Sequence, residues 1–333
     1  MGVKLDRQSQ AVIGADIGGT EIKIALVDAS QKRVLEREHI KTMAERGPDA
    51  ILADLGASLT ELSREARKNG FIVAAAGVGC AGLIDLANGV VISSPNLPGW
   101  INFPLSQRLG QMLEIPVYVE NDVNCICYGE YWLGGGRDLG DFVGIALGTG
   151  VGGCLIVDGK VWERQGYSTG EIGHMTIQPD GERCLCGNRG CLETLASASW
   201  LVRQAEARLR KGVSSSLGQD FDRTEGLDAK LIYRAAMEGD KMAQELFHLV
   251  GSSLAIAIAN VVHLLGIRAA LIAGGMANAW EAFIAPLHAE LERRLTMIPA
   301  TDVRVVRAEL GDGAGALGGA YLAGREASLI TGI

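Results

Sequence analysis

Two stretches of this chain set the terms for its fold. "AVIGADIGGTEIKIALVD" (11–28) and "GIALGTGVGGCLIVDG" (144–159) each read as strand, glycine turn, strand. Small and β-branched residues fill both arms of the first, and Ile22, Ile24 and Leu26 alternate along its second arm, the period of a strand with one buried face. Shifted by 130 positions, Gly14 falls on Gly144, Gly18 on Gly148, Val27 on Val157 and Asp28 on Asp158, four identities in fifteen. The repeat predicts two lobes, each opening with a glycine-turn hairpin. Such a turn can hold phosphate, because its N–H groups point inward and the missing Cβ atoms allow close approach. It can equally be an ordinary hairpin with glycine for turn geometry, and the spelling does not separate the two.

Two runs match G-x-G-x-x-G, at Gly77, Gly79, Gly82 and at Gly148, Gly150, Gly153. A dinucleotide site needs a helix directly after the glycines, so that the helix N-terminus meets the pyrophosphate. "GGCLIVDGK" is strand-like and "GLIDLANG" is turn-rich, so both readings are rejected. No G-x-x-x-x-G-K-[ST] occurs.

The remaining elements alternate. Residues 49–69 predict a helix with Ile51, Leu52, Leu55, Leu59 and Leu62 on one side. "FIVAAAGVGC" predicts a buried strand, "PLSQRLGQMLE" a short helix, and "PVYVEND" a strand with a helix starting near Val123. After Ala198 the chain reads as mostly helical, with a polar loop at 213–226, strands at "AALIAGG" and "DVRVVRAEL", and a last helix after "GDGAGALGG". "LAIAIANVVHLLGI" is interrupted by Asn260 and His263; it is too short and polar for a clean membrane span and reads as a buried helix. At 333 residues, 48% hydrophobic, the chain can bury two cores. Its net charge of −8, with no basic run, argues against a nucleic-acid surface. The first residues carry no secretory signal pattern, and Asp6 breaks the myristoylation pattern. Seven cysteines, an odd number, favour metal binding or free thiols over disulfides.

"GEIGHMTIQPDGERCLCGNRGCLET" concentrates the soft ligands. His174, Cys184, Cys186 and Cys191 form H-x9-C-x-C-x4-C, with Gly187 and Gly190 to turn the chain. A Cys₃His set suits closed tetrahedral zinc. Glu171 and Glu193 flank it; a stapled loop could hold both carboxylates, which accept hydrogen bonds, toward the hydroxyls of a polyol, or they could be a solvated surface pair. Cys125 and Cys127 fall on a predicted helix, where i and i+2 face apart, and with Cys80 and Cys154 they read as small core residues. "YVENDVN" sets Glu120, Asn121 and Asp122 at a strand's carboxyl end, where open α/β sheets place ligands. Asp122 there is either a base or a helix N-cap. Asp85 and Glu120 read as structural.

"DIGGT", "SSPNLPGW", "VENDVN", "LGTGVGG", "GEIGH" and "CLCGNRGCLE", in this order, resemble a sugar kinase of the ROK family (repressors, open reading frames, kinases), within the hexokinase–actin–Hsp70 superfamily. The resemblance spans essentially the whole chain, and the histidine–cysteine block is its most specific part. It implies an α/β, two-lobed, actin-like ATPase fold with ribonuclease H-like lobes, one from 1–122 plus 315–333 and the other, with the zinc loop, from 123–314. It implies ATP-dependent phosphorylation of a hexose, glucose first, with an N-acetylmannosamine, N-acetylglucosamine or fructose kinase as the alternative. Asp16 and Gly18, Gly19 and Thr20 would face the phosphates and Mg²⁺, Gly148, Thr149 and Gly150 would form the second phosphate turn, and Gly274 and Gly275 would pack adenosine. Gly79, Asn96, Asn121, Glu171, His174 and Glu193 would meet the sugar, with Asp122 as base. A cytoplasmic homodimer is implied as well, with no nucleic-acid or membrane partner. One departure is "GDGAGALGG", where the family pattern has Asn before Ala-Gly and Asp312 stands nearby here. The family also holds regulators, which carry a winged helix-turn-helix before "DIGGT"; fifteen residues precede Asp16 here, so a kinase is expected. Closure of the two lobes on sugar is expected from the paired hairpins.

Overall fold

The leading hairpin forms as its alternation dictates. In a computed structural model, which describes residues 9–163, 169–221 and 226–330, β1 (Ser9–Ile17) and β2 (Glu21–Asp28) pair antiparallel with Asp16 opposite Lys23. The reading of the first eight residues, and residues 222–225 of the expected polar loop, lie outside the described residues. The chain divides into two compact units, Met1–Asp138 with Ile156–Thr169 and Glu309–Ile333, and Leu139–Leu155 with Gly170–Ala308.

The first unit adds β3 (Arg33–Lys41), α1 (Pro48–Lys68), β4 (Phe71–Cys80), the short strands β5 (Leu83–Asp85), β6 (Val90–Ser93) and β7 (Ile101–Phe103), α2 (Leu105–Leu113), β8 (Val117–Asn121) and α3 (Asp122–Leu133). Its main sheet has the order β3-β2-β1-β4-β8, with β1, β4 and β8 parallel and β2 and β3 antiparallel additions. Ala11, Ile13, Ala15 and Ile17 of β1 point into one core cluster with Ile51, Leu52, Leu55, Leu59 and Leu62 of α1. Because side chains alternate along a strand, Gly14 and Asp16 face the other side.

That other side is covered from far along the chain. In the second unit, β9 (Phe142–Leu147) and β10 (Val151–Val157) form the second glycine hairpin, and β10 continues into a short pairing with β11 (Lys160–Val161), whose residues count with the first unit. The second unit then carries α4 (Glu193–Ala196), α5 (Ala198–Arg210), α6 (Gly218–Phe221), α7 (Ala229–Met237), α8 (Lys241–Leu265), β12 (Ala269–Ala273), α9 (Trp280–Arg294) and β13 (Arg304–Arg307). Its sheet runs β10-β9-β12-β13, with β12 parallel to both β9 and β13. The short helix α6 falls inside the segment expected to be loop. α8 is long and apolar enough to cross a membrane, yet Leu246, Phe247, Val250, Leu254, Ile258 and Val262 are buried within the unit.

α10 (Ala314–Glu326) returns to the first unit. It crosses β1 and β4 so closely that a Cβ on Gly14 would overlap the Ala316 carbonyl oxygen and one on Gly77 the Gly319 carbonyl oxygen. It meets α3 equally closely: a Cβ on Gly129 would overlap the Ala314 carbonyl oxygen, and one on Gly318 the Cys125 carbonyl oxygen. This packing explains why the units do not divide where the sequence reading drew the boundary, at 122/123 and 314/315. α3 stays with the first unit because it packs along α10. Cys80, Cys125, Cys127 and Cys154 are all buried.

One carboxylate fixes the entry of α10. Glu130, fully buried on α3, accepts Leu310 N on Oε1 (2.8 Å) and Gly135 N and Glu309 N on Oε2 (2.8 and 3.0 Å). Glu130→Gln leaves one of these N–H groups facing an NH₂ donor. The expected cost is about 1–3 kcal/mol for a buried unsatisfied donor, visible as a lower denaturation midpoint with an unchanged m-value; an unchanged midpoint would show that the clasp adds nothing to stability.

Candidate functional site

In the first unit, Asp16 ends β1 beside Gly79, its parallel partner on β4. The carboxylate lies in a glycine-lined space: a Cβ on Gly79 would come 3.6 Å from Asp16 Oδ1, and one on Gly315 of α10 would overlap Oδ2. Gly315 went unassigned in the sequence; its only signal was the small-residue run "GAGALGG". After Asp16 the chain turns at Gly18–Gly19–Thr20, closed by Gly18 N to Glu21 O (3.1 Å) and tied by the Thr42 hydroxyl, which donates to Gly18 O at 2.6 Å. Gly19 lies against Asn96, whose Cβ would be 3.5 Å from a Cβ at position 19.

At the end of β8, the helix cap is Asn121, not Asp122. Asn121 Oδ1 accepts Val123 N (2.9 Å) and Asn124 N (3.3 Å), and its Nδ2 donates to Gly82 O at 3.3 Å. Asp122 is the first residue of α3, half-buried and free of the capping role that the sequence left open. Burial raises its carboxyl above the ordinary aspartate value, against the Val123 N–H, which lowers it. Asp16 is pushed up to about 7, first by burial and then by the charge of Asp122, with Lys23 opposing. Glu120, buried behind them, is also pushed up to about 7 by burial, although Asn124 Nδ2 and Asn121 N donate to it. The first unit therefore gathers Asp16, Gly18, Gly19, Thr20, Gly79, Asn96, Asn121 and Asp122 around the ends of β1, β4 and β8.

In the second unit, Gly148 N closes the hairpin turn on Gly150 O at 2.9 Å. Gly274, in a left-handed conformation (φ 83°), packs so tightly on Leu147 that a Cβ there would overlap the Leu147 carbonyl. A cavity of about 300 Å³ opens beside both, lined by Gly148, Thr149, Gly275, Met276, Ala279, Ala198, Tyr233 and Phe247 with Asp228, Lys230 and Asn278 at its polar positions. Mostly apolar lining with a few polar groups is the make-up of a small-molecule pocket. Of these, the sequence reading named Gly148, Thr149 and Gly275.

The cysteine loop is knitted by its own backbone. Thr176 bridges Cys191, Arg183 bridges Arg189, and Ile177 N and Gln178 N both donate to Gly190 O. Gly190 is left-handed (φ 62°), and a Cβ there would overlap the Gln178 carbonyl, so no other residue closes this turn. His174 Nδ1 lies 3.7 Å from Cys184 Sγ and Cys186 Sγ lies 3.8 Å from Cys191 Sγ, with all four ligand atoms within 4.8 Å of one another. Thiolates at about 2.3 Å from a tetrahedral ion stand about 3.8 Å apart, so the set could hold a metal ion. Glu193 reaches both features: its Oε2 accepts Val151 N at 3.0 Å, directly after the Gly148–Gly150 turn, and its Oε1 lies 3.7 Å from Cys184 Sγ. Glu171 is exposed on the same loop. The second unit thus brings Gly148, Thr149, Gly150, Gly274 and Gly275 to one turn region, and Glu193 with His174 and the cysteines to the loop beside it.

The ROK family model matches residues 12–326. A glucokinase of Thermotoga maritima is 33% identical over 311 residues, covering 93% of this chain and 96% of the relative. The crystal structure of a ROK hexokinase from Thermus thermophilus superposes with a TM-score of 0.82 at 30% identity, over 96% of this chain and 99% of that one. A ROK family glucokinase from Streptomyces griseus, in complex with glucose and AMPPNP, superposes with a TM-score of 0.76 at 32% identity, over 95% and 99% of the two chains. These likenesses show the two-lobed α/β sugar-kinase fold. With the family model matched across both glycine hairpins, the cysteine loop and α10 alike, the chain belongs to the ROK family.

Proposed function

We propose that this chain is an ATP-dependent hexose kinase whose preferred acceptor is glucose. The observation that carries the reading is Asp122: a half-buried carboxylate, relieved of capping by Asn121, within electrostatic reach of Asp16 beside a glycine turn. Phosphoryl transfer asks a protein for positioning, charge neutralisation and a base rather than covalent chemistry, and each part has a candidate. Asp122 takes the proton of the sugar hydroxyl as its oxygen attacks the γ-phosphorus, and the bond from that phosphorus to the bridging oxygen of ADP breaks. Asp16, in its glycine-lined space, would hold Mg²⁺, which supplies charge neutralisation when bound. The turns at Gly18–Thr20 and Gly148–Gly150 offer N–H groups to phosphate oxygens, and the 300 Å³ cavity beside Gly275 takes the adenosine. Asn96, Gly79, Asn121 through its amide, Glu171, His174 and Glu193 meet the sugar hydroxyls. His174 turns Nδ1 toward the cysteines and so leaves Nε2 for a hydroxyl. Zinc is the ion that suits Cys₃His. The same reading carries a cytoplasmic homodimer.

An ADP-release assay over hexoses, hexosamines and N-acetylhexosamines tests the reading. Glucose is expected to give the highest kcat/KM, and no ADP release with any sugar would sink it. Asp122→Asn is expected to cut kcat by at least about a hundredfold, the low end of what a positioned base supplies. Because the cap is Asn121, the variant should keep its thermal stability and glucose affinity. In the parent, the acid limb of kcat should lie above the ordinary aspartate range, since Asp122 must be ionised to act and burial raises its pKa; a limb at the ordinary value would assign it to another group. Elemental analysis should find about one zinc per chain. Closed zinc sites contribute on the order of 10 kcal/mol to the fold they staple, so Cys186→Ser should lose metal and raise the glucose KM, while full zinc with unchanged kinetics would disconnect the loop from the sugar.

A further inference from the structure

Glu120 plays no part in the kinase reading, yet it is the most deeply buried acid at the end of β8, at 2% exposed. Its Oε1 accepts Asn121 N at 2.8 Å and Asn124 Nδ2 at 2.9 Å. Its Oε2 accepts no hydrogen bond among the described residues. A buried carboxylate oxygen without a donor is costly, and this one opens onto space: Glu120 lines a cavity of about 350 Å³. The cavity runs along β8, the edge strand of its sheet, and every lining residue belongs to the first unit. Leu86 and Leu322 give it apolar wall, while Glu163, Arg325 and Glu326 bring charge. Its size falls within the range of small-molecule sites, about 300–1,000 Å³.

The charges do not balance. Arg325 donates to Glu326 Oε1 through Nη2 (2.7 Å) and Nε (3.1 Å) and to the Tyr128 hydroxyl through Nη1 (2.7 Å), so its charge is answered by Glu326. Glu163 is exposed, which puts it where the cavity meets solvent, and its charge reaches Glu120. Two carboxylates, one deep and one at the mouth, are left without a cation. We infer that this cavity binds a slender organic diammonium ion, with one ammonium on Glu120 Oε2, the other on Glu163, and the carbon chain against Leu86 and Leu322. A bare metal ion would leave most of the volume and the apolar wall unused, and a neutral polyol would leave both charges unanswered. The inference goes beyond the kinase reading and does not depend on it. An ammonium on Oε2 also holds Glu120 ionised, and an ionised acceptor makes the stronger bonds to Asn121 N and Asn124 Nδ2, at the start of the helix that carries Asp122.

Isothermal titration of the full chain with putrescine, without sugar or ATP, tests the site. One saturable site per chain is expected, with no binding of 1,4-butanediol, the neutral compound of the same length, and no displacement by Mg²⁺ at matched ionic strength. In Glu120→Gln the amide oxygen can keep both bonds of Oε1 while an NH₂ donor faces the cavity, so affinity should fall at least about tenfold. Glu163→Lys should cause a loss of the same order by putting a tethered ammonium at the mouth. If Glu120→Gln does not fold by circular dichroism and Tm, Glu163→Lys decides alone. The groups within electrostatic reach of Glu120 are Glu163, Arg325 of α10, and Cys125 and Tyr128 of α3. Because Glu120 titrates at about 7, raised first by burial, and the ligand takes its ionised form, affinity should rise from pH 6 to pH 8, where alkylammonium ions stay charged. Absence of saturable binding would overturn the proposal, as would full affinity in Glu163→Lys or an affinity flat across that pH range. Equal binding of 1,4-butanediol would make the cavity a hydroxyl site, displacement by Mg²⁺ a metal site, and displacement by glucose would move the diamine to the candidate active site; each of these also overturns it.

Discussion

The first unit depends on backbone packed against backbone. α10 lies on β1 and β4 at a separation that side chains do not permit, and it meets α3 in the same way at Gly129 and Gly318. Dispersion between closely packed atoms, many small contacts summed, takes the place of large interdigitating side chains there. The consequence for the site is direct. Gly315 brings the start of α10 onto the Asp16 carboxylate, and α3 carries Asp122 from the far side of the same contact. The two carboxylates are held close by a helix crossing, not by a bond between them, and Glu130 anchors that crossing through the backbone at Glu309 and Leu310.

Electrostatics work against this arrangement. Two acids share a half-buried region, and burial alone would raise both pKa values. The counterweights are fixed groups: N–H donors at the start of α3 around Asp122, and Lys23 across the strand pair from Asp16. A cation arriving at Asp16 would complete the balance. In the second unit the same economy appears at Glu193, whose one carboxylate touches both the N–H after the Gly148–Gly150 turn and the sulfur of Cys184. The cysteine loop and the turn are therefore mechanically one object within that unit.

What could be read from the sequence follows the range of the interactions. The hairpin of β1 and β2 was legible because its alternation is local, and the Cys₃His set because its ligands lie within eighteen residues of each other. β3 was missed: its residues are charged and mostly exposed at a sheet edge, so no apolar period marks it. β5, β6 and β7 are three or four residues long, too short for a pattern. The cap at α3 was ambiguous because Asn and Asp serve equally well there, and only the hydrogen bonds of Asn121 decide it. The placement of α3 beside α10, and with it the division of the chain, rests on glycines nearly two hundred positions apart, Gly129 and Gly318. The family resemblance supplied Asp16 and Asp122 as partners; nothing local in their sequence does.

The first unit is assembled from three separate lengths of chain, with α10 arriving after the whole of the second unit. This sets an order on biosynthesis. Domains generally fold as they emerge, and the segment that forms the second unit can complete its core while α10 is still being made. β1 and β4 cannot: the face that bears Gly14 and Gly77 has no cover until residues 314–326 leave the ribosome. The nascent chain therefore carries an unfinished apolar sheet through most of its synthesis, a surface for chaperones to hold, and the closing of the unit is a late docking event, governed by when one glycine-rich helix becomes available.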